Sequence, residues 1–331
     1  MSLKTSILLV MCPLALAAGF QRTGTTAAQF LKLPVSARAA ALGDAGLALS
    51  LPGESIWGGA ETLLLNPAAL ADSRGPRVAV SQQRLLGQLD HGVAAWTRPL
   101  GDHSAWGLGL NWLSVAKQEI TTETEPSGTG AEYSYGDLAL SVGGGWRLNE
   151  RLSAGLTGRY LRQSLHNEEA SGLSADLSLL LALPWREARL AVAIQNFGTR
   201  LQLEGDDLLL PGSNQQLATL STQDFAQPLI FKLAMAGELW HDGGQRLEWS
   251  AQAEHPNDNR RRLGLGLEYS LKQQLALRVG RRFRSDLESW SAGVGVRTAI
   301  PGTPLTATVD AAWVATRYFQ DQRLFSLGVT F

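Results

Sequence analysis

The 331-residue chain carries 29 basic and 30 acidic residues, a formal net charge of -1, so it presents no electrostatic field for nucleic acid. Its single cysteine, Cys12, excludes a disulfide or thiolate metal site from the rest of the chain. The 35 glycines and 10 tryptophans fit a glycine-rich sheet with aromatic girdles better than an enzyme core, and no run of about twenty apolar residues occurs beyond the amino-terminal stretch, which excludes helical membrane spans.

In chain order, Lys4 precedes an apolar stretch from Ile7 to Leu16 and a small-x-small site at Ala15-Leu16-Ala17. Residues 1–17 are expected to be a secretory signal removed on maturation, not a membrane helix. Met11 precedes Cys12 where a lipoprotein signal needs a small residue, so lipidation is not expected.

Residues 18–76 differ in composition from the remainder of the chain. They hold the small-residue run Ala37-Arg38-Ala39-Ala40-Ala41-Leu42-Gly43 and the compact motif Leu65-Asn66-Pro67-Ala68-Ala69-Leu70. Short helical turns broken by Gly53 and Pro67 are predicted. Small residues suit close packing, so the segment is expected to plug or cap a barrel formed by the residues after it. Arg38 is the one charge in its run, and a buried charge is costly unless paired. It is expected to clamp the plug to a lumenal acid such as Glu254 or Glu268, or else to face solvent. Asn66-Pro67 is read as a local turn before the first strand.

From residue 77 to 331 the chain reads as a meander of 14 strands, beginning with residues 77–85 and ending with residues 322–331. Trp106, Leu108, Leu110 and Trp112 oppose Gly107, Gly109 and Asn111, while Leu263, Leu265, Leu267 and Tyr269 oppose Gly264, Gly266 and Glu268. Such alternation places one face in hydrocarbon and the other in a polar interior. The final strand repeats it, with Phe325, Leu327, Val329 and Phe331 opposing Ser326, Gly328 and Thr330. The fold class is all-β: a transmembrane antiparallel barrel of about 14 strands with a short, partly helical amino-terminal plug.

The longest connections, residues 115–131 and 198–227, both come after odd strands, which makes them external if the mature termini face the periplasm. Within the second, Leu208-Leu209-Leu210 is an apolar patch where exposure is expected, and such a patch tends to cover a ligand entrance or a partner. Lumen-directed charges are Glu254, Glu268, Arg278 and Arg297, read as a self-satisfying ladder of opposite signs. Arg260-Arg261-Arg262 lies beside an external turn, and either a solvated loop or contact with anionic surface glycolipid fits it. No nucleophile elbow, HExxH motif or phosphate-binding loop occurs. No catalytic residue, metal or cofactor is expected, and the chain is read as a non-enzyme.

These motifs together resemble the PorV/PorQ family of outer-membrane proteins, similar in fold to FadL-type fatty-acid transporters. The resemblance rests on Phe30-Leu31-x-Leu33, Ala37-Arg38-Ala39-x-Ala41-Leu42-Gly43, Asn66-Pro67-Ala68-x-Leu70, Gln195-Asn196-Phe197-Gly198, Gly266-Leu267-Glu268-Tyr269 and the closing strand. It implies a bacterial outer-membrane barrel assisting type IX protein secretion beside a translocon barrel and secreted substrate proteins. The alternative is a FadL-like transporter, whose partners would be hydrophobic small molecules. Outer-membrane lipid surrounds the barrel under both readings, and nucleic acid is excluded under both.

Overall fold

A computed structural model describes residues 23–49, 59–205, 209–211, 217–219 and 221–331. The expected secretory signal, Gly53 and Leu208 lie outside the described residues. Fourteen strands close into one antiparallel barrel. They are β1 (Arg77–Arg84), β2 (Leu89–Pro99), β3 (Ser104–Val115), β4 (Tyr135–Arg147), β5 (Leu152–Leu165), β6 (Glu168–Ala182) and β7 (Arg189–Gly198). The second half comprises β8 (Ile230–Asp242), β9 (Gln245–Pro256), β10 (Arg262–Leu271), β11 (Leu275–Phe283), β12 (Glu288–Ala299), β13 (Thr306–Thr316) and β14 (Gln322–Thr330). Each strand pairs with the next, and β1 closes on β14 in the register Val80 with Leu327 and Ser81 with Ser326. A closed, even-numbered meander leaves no sheet edge, the condition for crossing hydrocarbon with strands.

The strands alternate as their sequence requires, save at the bulges. Leu263, Leu265 and Leu267 stand outside and Gly264, Gly266 and Glu268 face the lumen. On β14, Leu327 is 60% exposed on the wall while Ser326 is buried inside. Trp96 and Trp106 pack edge-to-face at 5.1 Å on neighbouring strands of the outer surface. With its apolar exterior meeting lipid, the protein is a bacterial outer-membrane β-barrel.

The alternation places the start of β6 at Gly172 and of β4 at Glu132; in the structure β6 begins at Glu168, and β4 begins at Tyr135, with Glu132–Tyr133 forming a separate hairpin with Gln118–Glu119. Both differences fall at the long-loop end, above the apolar band, where strands continue without lipid-facing side chains to reveal them. The two-residue strand Glu204–Gly205 pairs with the start of β6 and prolongs the wall there.

The described amino-terminal residues lie in the lumen. A 3-10 turn over Gln29–Lys32 leads to helix α1 (Ala37–Ala41), and helix α2 (Thr62–Leu65) leads to a second 3-10 turn over Pro67–Asp72. All five residues of α1 are buried. Ser36 caps the helix, accepting from the Ala39 amide, and the Ala37 amide donates to Ser326 Oγ at 2.8 Å. At the other end, Ser291 Oγ donates to the Ala41 carbonyl and accepts from the Gly43 amide. Short helices have many orphan backbone groups, and hydroxyls on the barrel wall satisfy them here.

Candidate functional site

The candidate site is the lumen and the amino-terminal segment seated in it. In its inner part, the backbone of residues 41–43 presses on lumenal glycines of β10, β11 and β12. A methyl group added at Gly280 would collide with the Gly43 amide nitrogen and the Leu42 carbonyl carbon, and one at Gly293 with the Ala41 methyl. On the opposite wall, methyls at Gly145 and Gly155 would collide with the Pro67–Ala68 backbone. Glycine is required there because two backbones meet with no room for a side chain.

Charge locks this contact. The Arg38 guanidinium makes a bidentate bridge to Glu268, with Nε to Oε2 and Nη2 to Oε1 each at 2.9 Å. Arg278 Nε donates to the same Oε2 at 2.5 Å, and Arg278 Nη1 donates to Asp310. Glu268 is 1% exposed. Two guanidinium and two carboxylate groups therefore form a linked chain, Arg38–Glu268–Arg278–Asp310, spanning plug, β10, β11 and β13. Burial alone would lower the pKa of Arg38, but the Glu268 charge and hydrogen bonds outweigh it and raise it, so the clamp stays charged. Glu254, the other acid considered for Arg38, instead faces Lys232 at 3.5 Å and accepts from Gln252. Arg297, half-buried on the lumenal face of β12, is outside this array.

A second polar array sits on the other side of the lumen. Arg159 pairs with Asp176 at 2.5 Å and donates to Asn196 Oδ1 at 2.7 Å. Asn196 has φ 62°, its amide donates to Asp176 and its side chain donates to the Pro228 carbonyl. This left-handed residue marks a bulge in β7, where the β6–β7 register shifts between Ala175 and Leu177. Leu31, Val35, Leu64, Asn111 and Gln195 complete a cavity of about 20 Å³ beside it, room for one water. Asn66 is fully buried, and its side chain donates to the Leu47 carbonyl at 2.8 Å. It ties two parts of the plug together, a longer-range contact than the local turn read from Asn66-Pro67.

The outer part is apolar and hinged on one acid. Phe30, 2% exposed, packs among Leu113, Ala139, Leu161, Ala170 and Leu201. Asp258, in the turn after β9, accepts from Thr26 Oγ1 at 2.5 Å, Gln29 Nε2 at 2.8 Å and Lys32 Nζ at 2.9 Å. The Ala27 amide donates to Ala226 in the long loop after β7. Burial would push the Asp258 carboxyl up, yet the hydrogen bonds from Gln29, Thr26 and Lys32 and the Lys32 charge outweigh it and hold it below the usual aspartate range.

Asp258, Arg159 and Asp176 were not singled out from sequence. A lone acid in an Asn-Asp-Asn turn carries no periodic signal, while an arginine and an aspartate on the small face of neighbouring strands could have been paired. Leu31, Ala39 and Gly43 lie in the plug, and Phe325, Leu327, Val329 and Phe331 lie along the outer face of the last strand and its end. Leu209 and Leu210 belong to a short hairpin with residues 217–219. Among the described residues, no group of three or more His, Cys, Asp and Glu is placed to hold a metal.

No protein-family model matches the chain, and no curated protein does. Solved structures share its fold over nearly its whole length. A CymD monoaromatic hydrocarbon channel superposes with a TM-score of 0.58 at 13% identity, covering 89% of this chain and 97% of that one. The Pseudomonas putida toluene transporter TodX gives 0.56 at 12% identity over 89% and 96%. A Pseudomonas aeruginosa FadL homologue gives 0.53 at 14% over 90% and 98%. At 12–14% identity the likeness is one of fold, held over nearly the whole of both chains. These structures overturn the PorV/PorQ resemblance and, with it, the secretion reading and its translocon and secreted-protein partners. The small-residue run and the Asn-Pro-Ala motif answer to a packing requirement, a plug backbone seated on glycines, which a secretion role does not uniquely impose.

Proposed function

We propose that the protein is a FadL-like outer-membrane channel for hydrophobic solutes. The observation that carries this reading is the match of fold, over 89% of the chain in each case, to a hydrocarbon channel and a toluene transporter. The outer part of the plug adds support. An aromatic side chain, Phe30, fills an apolar lumenal pocket of Leu113, Ala139, Leu161 and Leu201, the setting a small aromatic solute would need. In the conformation described, the plug occupies that pocket, so passage requires the Gln29–Lys32 turn to withdraw.

The test is uptake of radiolabelled toluene by cells lacking their own hydrocarbon channels and expressing this protein. Uptake several-fold above the empty-vector rate is expected, and Phe30→Ala is expected to raise toluene binding by the purified barrel by vacating the pocket. Uptake no faster than the empty vector, with the barrel folded and present in the outer membrane, would sink the reading.

A further inference from the structure

The lipid-facing wall carries a charge that its surroundings do not explain. Strand β11 alternates outward Leu277 and Val279 with inward Arg278 and Gly280, and the next outward residue is Arg281. Its guanidinium lies over the Phe283 ring at 4.6 Å and over the Trp290 ring at 4.7 Å. Across the sheet it stands beside Leu265 on β10 and Trp290 on β12. A cation on the lipid face is costly at the bilayer midplane and becomes tolerable at the interface, where an anion can meet it. Strand β11 ends at a turn on the long-loop side, which places Arg281 at the outer leaflet.

A second outward arginine lies on the same stretch of wall. Arg323 on β14 pairs with Trp313 on β13, and Trp313 in turn stands opposite Ala292, two residues from Trp290. Three strand spacings, roughly 14 Å, separate β11 from β14. No carboxylate bridges Arg281 or Arg323 among the described residues, and both oxygens of nearby Asp321 are taken by Trp313 Nε1 and the Thr316 amide. Tyr318, 77% exposed in the adjoining turn, adds an amphipathic ring at the same rim.

We infer that Arg281 and Arg323, separated by Trp290 and Trp313, form a binding site on the outer wall for the phosphates of an outer-leaflet glycolipid. The rings hold Arg281 flat against the wall so that its N–H fork faces outward, pre-set for bidentate phosphate contact. The tryptophans supply the apolar floor on which the sugar and proximal acyl carbons rest. The site is independent of what the lumen carries.

The purified full-length barrel in detergent is incubated with bisphosphorylated lipid A, with its dephosphorylated counterpart and with inorganic phosphate, and retained adducts are read by native mass spectrometry. Bisphosphorylated lipid A is expected to bind in preference to the dephosphorylated form, and Arg281→Gln and Arg323→Gln each to weaken it about fivefold, the scale of one basic residue at an anionic surface. Arg98→Gln, an outward arginine at the other rim, is expected to change nothing. Equal retention of the dephosphorylated lipid, unaltered binding by Arg281→Gln, or equal loss in Arg98→Gln would overturn the proposal. Displacement of the lipid by millimolar inorganic phosphate would assign the arginines to a free anion and remove the glycolipid.

Discussion

The inner and outer parts of the plug are held by different physics. Residues 36–46 are seated backbone on backbone against lumenal glycines and locked by a buried four-membered charge array. Residues 26–32 rest on one aromatic side chain and one carboxylate at the barrel mouth. Shape and buried charge fix a segment permanently, because neither can be loosened without leaving a clash or an unpaired ion. Asp258 is itself buried, but it lies in the turn after β9 at the barrel's end, where withdrawal of residues 26–32 lets water replace its three side-chain partners. The outer turn is therefore the part able to withdraw while the inner part stays, as a gated hydrophobic path would need.

Arg38→Ala should disturb this asymmetry most. It strips Glu268 of its bidentate partner in a fully buried array, a loss of about 3–5 kcal/mol. The inner segment is expected to become as protease-sensitive as the outer one, and single-channel conductance in planar bilayers to rise. Unchanged conductance together with unchanged protease resistance would show that the charge array does not hold the plug.

A smaller effect is expected from Gly280→Ala. The added methyl meets the Leu42–Gly43 backbone, and overpacking of this kind costs about 1–3 kcal/mol. Gly328 provides the contrast, since it shares the lumenal face of β14 with Ser326 and a methyl there meets nothing closer than Thr308 Cβ and the Val78 carbonyl oxygen at 3.8 Å. Gly328→Ala is expected to leave both plug and barrel intact. Equal loosening by the two substitutions, read by hydrogen exchange of the Ala37–Ala41 amides, would mean that lumenal glycines serve the sheet rather than the plug.

The same contrast explains which features the sequence makes legible. Lipid imposes a period of two, so Leu263, Leu265 and Leu267 announce their strand, and all 14 strands were legible by that route. The lumenal face has no such rule. Gly280 reads as a weak strand residue until a second backbone is found against it, and Asp258 reads as a turn residue until Thr26, Gln29 and Lys32 converge on it across more than two hundred residues. Arg38 could be flagged as a charge in an apolar run, but Glu254 and Glu268 share a lumenal parity and only the depth of the helix selects Glu268. The secretion motif misled for a related reason. Small residues record that the plug is packed closely, and the packing is silent about cargo.

The mildest perturbation is acid, and it discriminates the two parts without any substitution. Asp258 is held below the ordinary aspartate value of about 3.9 by its partners in the plug. A carboxylate depressed in the folded state contributes stability that is fully present above its unfolded value and is lost as the pH falls through its folded value. The outer turn is therefore latched at neutral pH and released only as the pH drops below about 4. Hydrogen exchange measured from pH 6 down to pH 3 and corrected for intrinsic rates is expected to show residues 26–33 losing protection first, while residues 37–43 keep theirs. Asp258→Asn removes the charge at every pH and is expected to give the low-pH pattern already at pH 6, at a cost of about 1–2 kcal/mol for the charged hydrogen bonds it weakens. Simultaneous release of both parts in the native protein would mean that the plug moves as one body, and the carboxylate at the mouth would then be a minor contact instead of the latch.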